Sequence, residues 1–224
     1  MLITENCVGT IAGMYADTLR GKFHQSFSRM LLYTQKKLCK NPEDFLNVEF
    51  GQCSYHQLGR NTLAEQIQGP WLMYFDSDHM FQSDIVLRLL SLAEKNNAKV
   101  ISGIYQTKFP PHNPVACVWT SDGNKAYPIQ DWNREKEVLQ LDGAVGGGCL
   151  LIFKEVFERI KNELNESPFT EYNGLSEDYS FCHRCKRLGI PIYLAPRVES
   201  HHLVDHALSI EDYIPPPKET LRGI

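Results

Sequence analysis

The feature that most constrains the fold of this chain is the alternation of short apolar runs with amphipathic stretches in its first half. The apolar runs have the length and composition of buried strands and lie at residues 7–14, 45–50, 71–75 and 99–104. The stretches between them repeat apolar side chains at helical spacing and lie at residues 22–38, 60–68 and 84–95. Such alternation predicts an α/β fold with a mostly parallel central sheet and helices on both faces, in which ligand sites form beyond the carboxyl ends of the strands. Ser83 is the expected N-cap of the third helix.

The second half of the chain is more irregular and predicts a small antiparallel addition. Residues 115–120 and 125–129 are short extended segments around the sequence Ser-Asp-Gly-Asn, which is typical of a hairpin turn. Further strands are expected at residues 137–142, 149–153 and 191–194, and further helices at residues 154–164 and 177–188. A chain of 224 residues, 42% of them hydrophobic, is expected to form one domain around one substantial core.

The composition argues against several classes of protein. With 23 basic and 27 acidic residues the net charge is −4, which disfavours a generally basic surface that coats nucleic acid. The seven cysteines are scattered and several lie inside apolar runs, which favours reduced thiols over a disulfide framework. No apolar run approaches the ~18 residues that a membrane span requires, and the N-terminus has no basic segment followed by an apolar stretch. We therefore expect a cytoplasmic protein without a membrane span.

Two carboxylates, Asp76 and Asp78, directly follow the apolar run at residues 71–75. On an extended chain they lie on the same side, because side chains alternate with period two, so both could bind one hard cation at the end of the strand. Oxygen ligands favour magnesium or manganese over zinc. A D-x-D sequence is also common where a strand runs into a solvated loop, and that alternative stays open on the sequence alone.

Two further segments could face an anionic ligand. Arg60 and Asn61 stand at the predicted start of a helix, where a guanidinium and N-terminal amides could meet a phosphate; the alternative is an ordinary surface arginine. Gly146, Gly147 and Gly148 could let backbone amides approach a ligand closely, or could simply form a tight turn between strands.

Acids and histidines near the end of the chain offer proton-transfer or metal chemistry. Glu177 and Asp178 open a predicted helix directly behind Ser176, so they could supply a general base or merely stabilise the helix N-terminus with a Ser176 cap. The sequence HHLVDH at residues 201–206 follows the last predicted strand and begins with two adjacent histidines, His201 and His202. Together with the C-x-x-C pair at Cys182 and Cys185, it leaves a zinc-dependent hydrolase as an alternative function.

Read in order, these segments resemble a known family. The succession GRNTLAEQIQGPWLMYFDSDHMF, ISGIYQTKFPPHNP, LDGAVGGGCLLIFKEVFERI, SEDYSFCHRCKRLGIPIYLAP and SHHLVDH resembles the small GT-A glycosyltransferases of the family-2 type, in particular the compact single-domain members of bacteriophages and other viruses. The resemblance implies one GT-A domain over residues 1–224. Its nucleotide-binding half would end near residue 105, its acceptor and catalytic half would follow at residues 106–213, and residues 214–224 would be a tail.

The resemblance also implies roles for individual residues. The divalent metal, manganese or magnesium, would be bound by Asp76 and Asp78, with His202 as a third ligand and His201 as the alternative. The general base would be Asp178, with Glu177 beside it. Thr10, Ile11 and Ala12, at the end of the first strand, would hold the nucleotide base. Arg60 and Ser77 would contact the nucleotide. Gly146, Gly147 and Gly148 would line the cleft for the donor sugar and the acceptor.

The function implied by the resemblance is the metal-dependent transfer of a sugar, with inversion, from a nucleoside-diphosphate sugar to a hydroxyl group. The donor is expected to be a UDP-sugar. The acceptor stays open among a modified DNA base, a protein and a glycan, and the oligomeric state is open too. A viral member would act in the host cytoplasm. Besides the zinc-dependent hydrolase, a non-catalytic module that binds nucleotide-sugars is the remaining alternative.

Overall fold

The computed structural model describes residues 4–15, 20–52, 55–123, 125–130, 133–204 and 209–210; the predicted tail and the Asp205–His206 end of HHLVDH lie outside them. The strands are β1 (Cys7–Tyr15), β2 (Phe45–Gln52), β3 (Trp71–Asp76), β4 (His79–Phe81), β5 (Val100–Ile104), β6 (Ala116–Trp119), β7 (Ala126–Pro128), β8 (Leu139–Leu141), β9 (Gly143–Val145), β10 (Cys149–Phe153) and β11 (Ile192–His202). The helices are α1 (Gly21–Leu38), α2 (His56–Glu65), α3 (Ile85–Asn96), α4 (Lys154–Arg159), which continues as a π-helical turn (Ile160–Leu164), and α5 (Glu177–Arg187).

The central sheet has the strand order β2-β1-β3-β10-β5-β11-β4, with β8 paired to β11. Strand β1 runs parallel to β2 and β3, and β11 runs parallel to β5, whereas β10 is antiparallel to both of its neighbours. Strands β7, β6 and β9 form a separate antiparallel sheet that contains the predicted hairpin. The prediction of a mostly parallel α/β sheet with a small antiparallel addition is confirmed.

Helices cover both faces of the central sheet, which explains why its inner strands are mostly apolar on both of their faces. Along β3, Leu72 and Tyr74 pack into a core with side chains of α2, α4 and α5. The intervening Met73 and Phe75 pack into a second core with side chains of α1 and α3. Among the described residues, no helix is both long enough and apolar enough to cross a membrane.

Several predicted boundaries were wrong, and two of the errors change how the site is read. Helix α2 begins at His56, so Arg60 lies in its second turn and not at its N-terminus. Helix α3 begins at Ile85 with Asp84 at the N-cap position, so the predicted cap at Ser83 is wrong. Strand β11 continues to His202, far beyond residue 194, because its second half pairs with β4. Neither β4 nor β9 was predicted, since each is three residues long and depends on a partner distant in sequence.

Candidate functional site

The D-x-D segment turns away from the sheet instead of staying extended. Strand β3 ends at Asp76, the chain turns at Ser77 and Asp78, and β4 returns antiparallel to β11. Two backbone hydrogen bonds hold the turn: Ser77 N–H donates to Met14 O (2.7 Å) and Leu203 N–H donates to Asp78 O (2.6 Å). The expectation that both carboxylates lie side by side on an extended strand is therefore wrong, and each of them has its own set of partners.

Arg60 is a buried cation that forms an ion pair with the Asp76 carboxylate. The side chain is 2% exposed, and its Nη2 donates to Asp76 Oδ1 at 2.8 Å. Its Nη1 donates to Gly147 O at 3.0 Å, and its Nε lies 3.4 Å from Glu177 Oε1. Burial alone would lower the pKa of Arg60, but the neighbouring carboxylates of Asp76 and Glu177 raise this pKa by more than burial lowers it. The guanidinium therefore stays charged. Arg60 thus joins β3 to α5, and the expectation that it stands at a helix N-terminus facing a phosphate is corrected.

One group of side chains among the described residues has the arrangement of a metal site. The ligand atoms of Asp78, His79 and His202 all lie within 4.8 Å of one another. Asp78 Oδ1 is 3.6 Å from His202 Nε2 and 3.9 Å from His79 Nε2. His201 is not in this group, and its Nδ1 lies 3.6 Å from Glu199 Oε1. The structure thus brings together Asp78 and His202 of the predicted metal residues, and adds His79, the residue directly after the D-x-D.

His79 supplies the observation that tests whether a cation fits here. Its ring is fully buried, its Nδ1 lies 2.8 Å from Ser200 Oγ, and its Nε2 has no hydrogen-bond partner among the described residues. Burial, followed by the neighbouring His202, lowers the pKa of His79 to about 4, so the ring is neutral at pH 7. A Cβ added to Gly148 would lie 2.8 Å from His79 Nε2 and 3.0 Å from Asp76 Oδ2, so this nitrogen and the Asp76 carboxylate border the same space beside Gly148. A neutral imidazole nitrogen beside carboxylates suits a divalent metal.

The surroundings of Asp78 keep its carboxylate ionised. Burial raises the pKa of Asp78, but a hydrogen bond from His202 and the nearby His79 and Lys108 outweigh it and hold the pKa well below its usual value. Lys108 Nζ contacts the second oxygen, Oδ2. His202 Nδ1 lies 2.6 Å from Gln106 O, which can only accept, so Nδ1 carries a proton and Nε2 is the ring nitrogen that faces Asp78, at 3.6 Å.

The three glycines are required because other groups pack closely against them, and not because their backbone amides are open to a ligand. Their N–H groups all have partners, donating to Val115 O (3.3 Å), to Asp178 Oδ2 (3.3 Å) and to Tyr105 Oη (3.0 Å) from Gly146, Gly147 and Gly148 respectively. A Cβ at Gly146 would lie 2.0 Å from Tyr105 Oη, and one at Gly147 would lie 2.5 Å from Arg60 Cζ. The segment therefore lines the site, but it does not offer the free backbone amides that its sequence suggested.

Asp178 lies at the start of α5 with an environment suited to a base. Its Oδ2 accepts the hydrogen bond from Gly147 N–H, and its Oδ1 accepts from Tyr179 N–H at 2.8 Å and from the Ser176 hydroxyl. Ser176 stands at the N-cap position but makes no side-chain capping bond, because its hydroxyl points to Asp178. Burial, and then the charge of Glu177, raise the pKa of Asp178 above its usual value. A raised pKa makes this carboxylate a stronger proton acceptor.

The residues predicted at the end of the first strand lie elsewhere. Thr10, Ile11 and Ala12 are in the middle of β1 and have no exposed surface, and the strand continues to Tyr15. Thr10 Oγ1 donates to Gln68 O at 2.5 Å. These side chains face the two cores and the carbonyl of Gln68. The expectation that they contact a nucleotide base is therefore corrected. The register places Met14 opposite Asp76, so it is the last residues of β1 that reach the level of the D-x-D.

The cysteine pair does not have the features of a zinc site. Cys182 and Cys185 are fully buried in α5 and are free thiols. Burial raises the pKa of both, whereas zinc binds the thiolate. Within the part of the chain that the structure describes, the group with metal-site geometry is the one at Asp78.

The strand order and the placement of the helices define a class of fold: the chain has the GT-A fold. It is similar to the crystal structure of A197 from STIV, with a TM-score of 0.55 at 17% identity over 91% of this chain and 91% of that one. It is also similar to the crystal structure of GalNAc-T7 with UDP, GalNAc and Mn2+, with a TM-score of 0.56 at 12% identity. That second match covers 89% of this chain but 44% of the other, so the chain spans less than half of GalNAc-T7. No protein-family model matches the sequence, and no curated protein matches it significantly.

His79 makes the stability of the metal-free protein depend on pH. Its pKa falls from 6.5 to about 4 in the folded state, so between these values the unfolded chain binds more protons than the folded one. Its contribution is complete above about pH 6.5 and is lost as the pH falls towards 4, by about 3 kcal/mol in all. Urea unfolding with a chelator present, from pH 7.5 to 4.5, should show this loss, and His79→Gln should reduce it. Equal pH dependence in the two proteins would contradict the assignment.

Proposed function

We propose that this chain is a metal-dependent glycosyltransferase that moves a sugar from a nucleoside-diphosphate sugar to a hydroxyl acceptor. The observation that carries the proposal is the network around Arg60. One buried guanidinium contacts Asp76 of the D-x-D, the carbonyl of Gly147 and Glu177 beside Asp178. A fold shared with nucleotide-sugar transferases thus brings its candidate metal segment and its candidate base to one place.

The donor side of the reaction belongs to the D-x-D turn and the end of β11. Asp78 and His202 would hold manganese or magnesium, with Asp76 next to them. When bound, the metal neutralises the charge that grows on the departing nucleoside diphosphate. Lys108, whose ammonium contacts Asp78, stands where it can add a second positive charge near the diphosphate. His201, the alternative ligand by sequence, is less suited because it lies outside the group around Asp78.

The acceptor side belongs to Asp178. Its carboxylate takes the proton from the attacking hydroxyl while the hydroxyl oxygen forms a bond to the anomeric carbon and the bond from that carbon to the diphosphate oxygen breaks. The Gly147 amide and the Ser176 hydroxyl hold the carboxylate in place. A single displacement of this kind inverts the anomeric centre. Glu177 contributes by its charge, which raises the pKa of Asp178, and by its contact with Arg60.

The donor proposed is a UDP-sugar. The order of the motifs at residues 59–81, 101–114, 141–160, 176–196 and 200–206 is the ground for it, and the GalNAc-T7 structure, which contains UDP and Mn2+, is consistent with it. The acceptor class stays open among a modified DNA base, a protein and a glycan. Membership of the compact family-2 type of phages and viruses is part of the same proposal.

A thermal-shift screen of nucleoside diphosphates with and without Mn2+ tests the donor half of the proposal. At a ligand concentration of 100 times Kd, binding adds about 2.7 kcal/mol to the folded state. For a chain of this length that corresponds to a rise in Tm of about 5–10 °C. We expect the rise with UDP only when Mn2+ is present, and we expect Asp78→Ala to abolish it.

Asp142→Ala is the matched control for that screen, because Asp142 is an 83% exposed acid that pairs with Lys186. It should keep the full metal-dependent shift. Retention of the shift by Asp78→Ala would refute the role given to Asp78. Elemental analysis provides a separate check: about one tightly held zinc per purified chain would favour the zinc-dependent alternative.

A further inference from the structure

We propose that His79, the residue directly after the D-x-D, is itself a protein ligand of the divalent metal, so that the site offers two imidazoles together with carboxylate oxygen. The inference deepens the proposed function, on which it rests. The alternative is a purely structural role, in which His79 is a core histidine that happens to lie near the site. Three observations favour the ligand role.

The first observation is the pairing of strands β4 and β11. His79 lies directly opposite His202 in this antiparallel pair, and their ring centroids are 4.4 Å apart. Directly opposed residues of an antiparallel pair project from the same face. The next residue on β11, His201, is opposite Met80 and so belongs to the other face. The ladder therefore presents two of these histidines to Asp78 and turns the third away.

The second observation is that both imidazoles are held by Nδ1 and present Nε2. Ser200 Oγ lies 2.8 Å from Nδ1 of His79, and the carbonyl of Gln106 lies 2.6 Å from Nδ1 of His202. Metal-binding histidines are commonly oriented in this way by a hydrogen bond to the ring nitrogen that does not bind the metal. The two Nε2 atoms lie 3.9 Å and 3.6 Å from the same oxygen of Asp78.

The third observation is that His79 Nε2 is buried without a partner among the described residues. A buried polar atom with no hydrogen bond is costly, and an apolar side chain would pack in the same space without that cost. Gly148 keeps this side open, because a Cβ there would lie 2.7 Å from Cε1 of the His79 ring. A metal ion would give this nitrogen the partner that the protein lacks.

The ligand set has a consequence for metal choice. Magnesium prefers oxygen ligands and retains its waters, whereas nitrogen ligands are taken up by transition-metal ions, of which manganese is the weakest binder. We therefore expect Mg2+ to bind this site at least tenfold more weakly than Mn2+ in the presence of UDP. Competition of Mg2+ against bound Mn2+, followed by the electron paramagnetic resonance signal of free Mn2+, measures the ratio; equal affinities would count against a nitrogen-rich set.

The direct test is the affinity for Mn2+ in the presence of UDP, measured by the same resonance signal. His79→Ala should weaken binding at least about 10-fold, because even the loss of an outer-shell partner of a metal ligand typically costs about 10–100-fold, whereas His201→Ala, on the neighbouring position of the same ladder, should stay within about twofold of wild type. Binding by His79→Ala equal to wild type would overturn the proposal. Circular dichroism of both metal-free variants verifies that they fold.

A measurement on the unaltered chain decides the matter if His79→Ala fails to fold. Electron spin-echo modulation of bound Mn2+, with the histidines labelled with 15N, counts the coordinated imidazoles. Two imidazoles support the proposal. One imidazole refutes the role of His79 and leaves the proposed function standing, whereas failure of the wild-type chain to bind Mn2+ with any nucleoside diphosphate refutes both.

Discussion

Replacing Asp178 by Asn is expected to lower the rate of sugar transfer by about 10²–10⁴-fold, the range that a positioned general base contributes. Asparagine has nearly the same shape and can still accept the hydrogen bond that Tyr179 N–H donates to Oδ1. It cannot take a proton from the acceptor. Because Asp178 does not belong to the group of ligand atoms at Asp78, Mn2+-dependent binding of UDP should stay within about threefold of wild type. Single-turnover transfer or donor hydrolysis, measured beside UDP binding, separates the two effects.

The pH profile gives the same prediction a second readout. Burial and the charge of Glu177 raise the pKa of Asp178. Transfer by the wild-type chain should therefore fall as the pH drops through that raised pKa, at a higher pH than for an ordinary aspartate, because protonation removes the base. Asp142→Asn, at an exposed acid, should keep the wild-type profile. Transfer by Asp178→Asn at more than about a third of the wild-type rate would place the base elsewhere.

Replacing Arg60 by Met is expected to destabilise the fold by about 3–5 kcal/mol, the cost of breaking a buried ion pair by removing one partner. The change leaves the carboxylate of Asp76 without its 2.8 Å contact and the carbonyl of Gly147 without its donor. It also removes the cation that faces Glu177. For a chain of this size the loss corresponds to a fall in Tm of about 6–20 °C, which differential scanning calorimetry can follow.

Arg159→Met is the matched control, since Arg159 forms an exposed i,i+4 pair with Glu163 on the helix surface. Such pairs contribute little, so its Tm should remain close to that of wild type. Arg60→Lys is informative as well: a lysine keeps the charge but cannot make the three separate contacts, and most of the loss should persist. Equal melting of Arg60→Met and Arg159→Met would show that the buried network does not stabilise the fold.

Local patterns were sufficient for much of the fold. The apolar run at residues 71–75 became β3 with one residue added, and the amphipathic stretch at residues 22–38 became α1 almost unchanged. The GT-A fold expected from the order of the motifs is confirmed. Patterns of this kind succeed because a helix or strand that is buried on one face, or on both, carries apolar side chains at a characteristic spacing along the sequence.

Sequence patterns were less successful in predicting the surroundings of residues whose partners are distant in sequence. Arg60 was given a place at a helix terminus and an external anion, and it is instead buried against carboxylates on β3 and α5, 16 and 117 residues away. The glycine segment suggested free amides, yet its N–H groups are engaged by other parts of the chain. The adjacency of His79 to the D-x-D was visible in the sequence, but nothing local indicated which way its ring faces.

The sequence by itself determined the class of fold and the residue types that meet near the ends of its strands, because hydrophobic period and motif order are local and linear properties. The tertiary structure alone decided which of those residues touch. The turn at Ser77 sends Asp76 to Arg60 and Asp78 to His202, and the pairing of β4 with β11 puts His79 beside them and His201 on the opposite face. The contacts across β4 and β11 depend on strand register between segments more than a hundred residues apart, and a shift of one residue would reverse every side chain on the strand.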